Sequence, residues 1–249
     1  MAKESALIKA IRYPAYFIIL IWAVHLFQLL PGIDLTHYGV RPRYFEGIYG
    51  IIFSPLLHGG FGHLINNSIP FFALGVLIFF FFPRVAWRSI VMIYLLSGVF
   101  LWLLGNSQFF DILFGVPVTN GYHIGASGVV YGFVAFIFWT GVFRRNLKSI
   151  ILALIVLTYY SGMFLGILPN DEGISWEGHL YGGVAGIFTA YWFRSSIEED
   201  EKPKKYSWQL EPQSEKTNFF ENDTFEKTKE ERRREAEEND ENGWFSNLS

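Results

Sequence analysis

The chain contains no cysteine. Disulfides, thiolate metal sites and a cysteine nucleophile are excluded together. Net charge is also scarce, a formal -3 over 249 residues, and no nucleic-acid partner is expected. Charged residues are few between Tyr13 and Phe193 and crowd into Arg194 to Ser249. Intramembrane carboxylates suited to ion coupling are not evident, which argues against a transporter. What remains is 51% hydrophobic and 19% aromatic, the composition of a polytopic membrane protein.

Runs of about 17 to 25 apolar residues suit a hydrocarbon core. Six such runs stand out: Tyr13–Leu30, His63–Phe82, Trp87–Leu104, Ser127–Phe143, Ile150–Leu168 and Gly178–Phe193. The fold class expected is an all-α, six-transmembrane-helix bundle over residues 13–194. A short N-terminal stretch (1–12) and a polar tail (195–249) flank it. The first run is too long for a signal-peptide core, and Leu29-Leu30-Pro31-Gly32 is no small-x-small cleavage site, so it reads as a retained helix. Lys3, Lys9, Arg12, Arg84, Arg88, Arg144, Arg145, Lys148 and Arg194 all fall at one face of this topology. By the positive-inside rule both termini are cytoplasmic, with a bacterial plasma membrane as the expected location.

In this topology the second, fourth and sixth helices all begin at the outer face. His63 and Asn67 open one, Ser127 another and His179 the third. Polar groups converging at one membrane depth form a functional-site hypothesis by default. Ser127 sits in Gly125-Ala126-Ser127-Gly128, a lone serine between glycines at the mouth of an uncharged helix. Taken alone, that tetrapeptide reads as small-residue packing. His58-x4-His63-x3-Asn67 places His63 and Asn67 one turn apart on one face. A zinc site is not expected, because no carboxylate lies in this stretch to complete a helical ligand set. His58 reads as a residue bonding loop carbonyls. His123, four residues before Ser127, is an alternative base, but it falls in the loop if the helix starts at Ser127.

At about 100° per residue, His179 shares a face with Gly182, Gly183, Gly186 and Ala190. Ser127, Gly128, Tyr131, Gly132 and Ala135 share a sector on the other helix. Facing glycines let two helices approach closely enough for a Ser–His hydrogen bond. Tyr131, one turn below Ser127, is placed to stack on the imidazole. The connection at residues 31–62 has an apolar middle, Ile48 to Phe53. It could lie in the membrane interface or pack on the helix ends.

Together, His58-x4-His63-x3-Asn67, Gly125-x-Ser127-Gly128-x2-Tyr131 and Gly178-His179-x2-Gly182-x3-Gly186 resemble the rhomboid intramembrane serine proteases. The resemblance covers about residues 13 to 194. It implies Ser127 as nucleophile and His179 as base in a dyad without a carboxylate. It also implies His63, Asn67 and the Ser127 backbone N–H as the oxyanion hole, with Tyr131 supporting the histidine. Gly125, Gly128, His58, Gly182 and Gly186 would frame the site. The substrates implied are transmembrane proteins in a lipid bilayer, cut near the outer boundary, with no metal or cofactor. The chain departs from the family in lacking a tryptophan-arginine pair in its first outer loop, where Arg41-Pro42-Arg43 is the nearest basic cluster. A non-catalytic, client-binding relative is the rival reading; such relatives typically lack the nucleophile or base, and both are present here.

The tail alternates acidic and basic residues from Glu226 to Glu238. Its i,i+4 pairs could support a transient helix, but with little to bury it is expected to stay disordered. No tail partner can be named, although Trp244-Phe245 is a candidate docking pair.

Overall fold

The structure is a computed structural model that describes residues 5–106, 121–168, 175–196, 198 and 226–246. Asp111, Asn120, Asp171 and Glu172 lie outside them. The chain divides into two compact units, Met1–Lys202 and Pro203–Ser249.

The described part of the first unit is built from helices and short 3-10 turns. Helix α1 runs Ala6–Gln28, with the Ser5 hydroxyl accepting the Ile8 N–H at its start. It begins inside the stretch expected to precede the first span, because Lys9 and Arg12 ride on the helix end and reach outward from an apolar surface. Pro14 lies inside α1, and its ring packs where Gly75 has no side chain, 3.0 Å from a Cβ built there.

The first connection folds into 3-10 turns and the short α2 (Gly50–Phe53). It both packs and stays exposed. Ile51 presses on Gly98, its Cα 2.8 Å from where a Cβ would stand, while Phe45 remains 76% exposed.

Helices α3 (Phe61–Phe81) and α4 (Ala86–Leu104) form a hairpin. Helix α5 (Ser127–Arg144) follows, then α6 (Leu147–Tyr160), which tightens into a 3-10 segment over Ser161–Ile167. Helix α7 (Trp176–Trp192) closes the unit. Among the described residues, five helices are long and apolar enough to cross a membrane, counting α6 with its 3-10 extension. The sixth expected span, α7, has 17 residues, the lower end of the spanning range. Its buried face, from Glu177 to Ala190, packs within the bundle.

Helix α5 sits in the core. Phe133, Phe136 and Ile137 are fully buried among Phe71, Leu74, Ile78 and Ile93 of α3 and α4. The outward faces stay apolar, with Ile69 66%, Leu154 56% and Tyr159 81% exposed. A water-soluble domain would not leave so much contiguous apolar surface open, whereas a bilayer covers it.

The second unit contributes α8, Lys229–Ser246, where the charge pattern favoured disorder over a transient helix. Thr228 and Glu231 cap it reciprocally: Glu231 accepts the Thr228 N–H at 2.7 Å, and the Thr228 hydroxyl accepts the Glu231 N–H at 3.3 Å. An Arg233–Glu237 pair at 3.0 Å supplies the i,i+4 contact read from the sequence. The side chains of Trp244 and Phe245 lie outside the described set.

Candidate active site

The site grows from Gly125, whose φ of +111° is a conformation that favours glycine. A Cβ here would meet the His63 ring at 2.5 Å from Nε2, and Asn67 Nδ2 at 3.6 Å. Both side chains opening α3 therefore converge on the backbone two residues before Ser127. The Gly125 N–H donates to the Ser54 carbonyl at 2.8 Å, and His123 exchanges both backbone hydrogen bonds with Val40. The first connection thus holds the loop that delivers Ser127 to the start of α5, where backbone N–H groups lack helical acceptors.

His179 Nε2 lies 2.9 Å from Ser127 Oγ. Its Nδ1 lies 2.8 Å from the Gly166 carbonyl oxygen. A carbonyl can only accept, so Nδ1 carries the proton and Nε2 turns its lone pair to the serine hydroxyl. Tyr131 stacks on the imidazole with centroids 4.1 Å apart and planes 9° from parallel. Its own hydroxyl donates to the Met163 carbonyl at 2.8 Å. The 3-10 segment after α6 therefore orients the histidine directly through Gly166 and indirectly through Tyr131.

Helices α5 and α7 meet through their glycines. A Cβ at Gly182 would overlap the Gly128 carbonyl, and one at Gly186 would overlap the Gly132 carbonyl and stand 2.9 Å from Ala135 Cβ. Gly183, expected on the same face, is not part of it. Among the described residues nothing lies within 4 Å of a Cβ built there.

Asn67 is buried, and its amide donates to the His63 carbonyl at 2.9 Å, leaving one N–H of the two. His58 is also buried, its ring edge-on to His63 with centroids 5.1 Å apart. Its backbone N–H faces Gln28 Oε1 at 3.5 Å. Burial chiefly, with His63 adding to it, pushes the His58 imidazole down to about 4, so it is neutral at pH 7. His123 pairs with Ser175 Oγ at 2.6 Å rather than with Ser127, and burial lowers it to about 4. Ser175 Oγ also accepts the Gly178 N–H at 3.1 Å, capping the helix that carries His179. His25 stands on a buried face of α1 against Phe61, with centroids 5.0 Å apart.

Beside Ser127 lies a cavity of about 30 Å³ whose polar lining includes Ser54, Ser97, His123 and Ser175. It is large enough for a water molecule. Sequence reasoning missed Gly166 and Met163, which act through backbone carbonyls. Glu177 is buried in the first turn of α7, its carboxylate accepting the Asn106 N–H at 2.9 and 3.1 Å. An acidic residue there is favoured by the helix dipole.

A family model described as the Rhomboid domain matches residues 46–196. A protein of Mycobacterium tuberculosis, uncharacterized by name, is 38% identical over 179 residues, 70% of this chain and 71% of the relative. A Mycobacterium leprae protein is 35% identical over 179 residues, 70% of this chain and 68% of the relative. A protein of Acanthamoeba polyphaga mimivirus, named as a rhomboid protein, is 26% identical over 182 residues, 71% of this chain and 88% of the relative.

Proposed function

We propose, from the premise that this chain belongs to the rhomboid family, that it is an intramembrane serine endopeptidase with Ser127 as nucleophile and His179 as base. The observation that carries this reading is the 2.9 Å Ser127–His179 contact with Nδ1 tied to the Gly166 carbonyl at 2.8 Å. That tautomer is the one a base needs.

Nε2 takes the hydroxyl proton as Ser127 Oγ attacks the scissile carbonyl. The imidazolium then formed has the Gly166 oxygen at Nδ1 and the face of Tyr131 against its ring, both favourable to positive charge. The oxyanion is received by His63, the free N–H of Asn67 and the backbone N–H of Ser127. Collapse breaks the peptide bond, the leaving amine takes the proton from Nε2, and an ester on Ser127 remains. Water, deprotonated by His179, attacks that ester and releases the acid. The cavity beside Ser127 is a natural place to hold that water, and the reaction balances with no metal or cofactor.

Ser127, His63 and His179 all sit in the first turns of their helices, so the substrates are transmembrane proteins cut near one membrane boundary. The basic residues at the opposite helix ends make that boundary the outer one, with both termini cytoplasmic. Mycobacterial relatives support a bacterial plasma membrane as the setting. Labelling of Ser127 by a fluorophosphonate probe tests the assignment. Modification confined to Ser127 and lost in His179→Ala is the expected result, and a wild-type protein that cleaves while Ser127 stays unmodified would refute it.

A further inference from the structure

The glycine contact between α5 and α7 fixes the two helices on one side of the dyad only. Its glycines begin at Gly128, the residue after Ser127, and run away from the site through Gly182, Gly132 and Gly186. On the other side, where both helices start, stands a second serine–histidine contact with the partners exchanged. His123 lies four residues before Ser127 and Ser175 four residues before His179, and His123 Nδ1 stands 2.6 Å from Ser175 Oγ. No proton transfer in the proposed reaction involves either side chain.

Both partners are held from behind. The backbone of His123 exchanges hydrogen bonds of 2.8 and 2.9 Å with Val40, which is fully buried, so the first connection anchors the imidazole. Ser175 is tied twice to α7: its Oγ accepts the Gly178 N–H at 3.1 Å and its carbonyl accepts the His179 N–H at 3.2 Å. A movement of Ser175 therefore carries His179 with it. Since Oγ already accepts one N–H, its own proton is available to Nδ1. That pairing leaves Nε2 as the one atom of the two side chains without a partner among the described residues.

Two simpler roles fall short. A second nucleophile and base would need the far nitrogen, Nε2, held by an acceptor as the Gly166 carbonyl holds Nδ1 of His179, and no such acceptor stands among the described residues. Capping of α7 explains Ser175 alone, because the cap needs nothing from His123. We propose that His123 and Ser175 are a positioning pair, a clasp that holds the start of α7 against the loop bearing Ser127 and thereby sets the Ser127–His179 separation. Helices touching through glycines on one side of the dyad can rock about that contact. A bond about 6 Å farther out, four residues at 1.5 Å each, stops the rocking. The inference rests on the proteolytic reading, since its effect is felt at the dyad.

A double-mutant cycle on the full chain in detergent tests it. Asparagine places an amide atom where Nδ1 stood and glutamine where Nε2 stood, so the two replacements separate the contact from polarity alone. His123→Gln should lower kcat for a model transmembrane substrate and the rate of fluorophosphonate labelling of Ser127 together, at unchanged KM. The loss should be about tenfold, short of the roughly hundredfold that a full 1 Å misplacement can cost. His123→Asn should recover most of it, with the two variants melting at the same temperature. In a Ser175→Ala background, which also loses the cap of α7, His123→Gln should cost nothing further. Losses that multiply in the double variant, or equal activity in His123→Gln and His123→Asn, would overturn the clasp while Ser127→Ala stays inactive. Cleavage by Ser127→Ala would instead overturn the proteolytic reading, and the clasp's role with it.

Discussion

Gly182→Ala adds a single methyl group one turn below His179, and its landing place is defined. The new Cβ overlaps the Gly128 carbonyl oxygen and stands 2.6 Å from the carbonyl carbon and 2.9 Å from Cα. These are backbone atoms of the residue after Ser127, so no side chain can swing aside. Ordinary van der Waals contact begins at 3.4 Å, so α5 and α7 must part by at least roughly 0.8 Å in an otherwise close-packed contact. Carried to the dyad, that shift stretches the 2.9 Å Ser127–His179 contact to roughly 3.7 Å, outside hydrogen-bonding range. A misplacement of about 1 Å can cost about 10²-fold in rate, whereas overpacking typically costs about 1–3 kcal/mol of stability. Cleavage of a model transmembrane substrate should therefore fall about a hundredfold in a variant that still inserts and purifies. Labelling by a serine probe should slow in parallel. Gly183→Ala is the control, because its methyl meets open space, and it should cleave normally. Wild-type cleavage by Gly182→Ala at an unchanged melting temperature would refute the close glycine contact and the dyad geometry built on it.

Ser127→Ala and His179→Ala should each abolish cleavage without unfolding the protein; if His123→Ala is instead the inactive variant, the base has been misassigned. Asn67→Ala should lose about 10² to 10³ in turnover, the usual loss for one oxyanion donor, and normal rates in both Asn67→Ala and His63→Ala would move the oxyanion site elsewhere. Tyr131→Phe keeps the stack and loses the Met163 hydrogen bond, a net contribution of about 0.5–1.5 kcal/mol, so activity should fall several-fold, whereas Tyr131→Ala should be far more damaging; equal loss in the two would deny the stack its role. His58 is held near 4 in the folded protein against an ordinary 6.5, so the unfolded state binds the extra proton. Stability from this group is complete above about pH 6.5 and is lost as pH falls toward 4. Melting temperature should drop across that window, less steeply in His58→Asn, and identical profiles would remove His58 as the cause.

Much of this arrangement was legible because membrane helices carry their contacts in residue size. Gly128, Gly132, Gly182 and Gly186 announce a close approach, and the helical repeat sets which pairs meet. Gly183 misled because 100° of rotation separates it from Gly182, enough to turn it away from α5. The start of α1 is masked in the sequence because Lys9 and Arg12 resemble a boundary, although both belong to the helix itself. The capping of α8 by Thr228 and Glu231 is spelled out in the sequence as Thr-x-x-Glu, within a charge pattern that by itself favours disorder.

The orientation of His179 was not legible, for a physical reason. Where a serine–histidine pair includes a third member, that member is usually a carboxylate, and Glu177, two residues away, is the tempting candidate. Two residues along a helix are a rotation of about 200°, so Glu177 cannot reach Nδ1 and instead holds the Asn106 N–H. The acceptor at Nδ1 is the Gly166 carbonyl, a group that every residue possesses and no side chain advertises. The glycine itself is the remaining trace, since a Cβ at 166 would run into the Tyr131 hydroxyl and come within 3.3 Å of Nδ1. A backbone acceptor also suits the depth of the site. A carboxylate buried there would have to be desolvated, at a cost of several kcal/mol, and a neutral carbonyl selects the same tautomer without that cost. The lack of an acid beside His179 is thus what low dielectric favours, and the 3-10 turn over Ser161–Ile167 is the element that makes it workable. That turn brings the carbonyls of Gly166 and Met163 to the histidine and to the tyrosine that stacks on it.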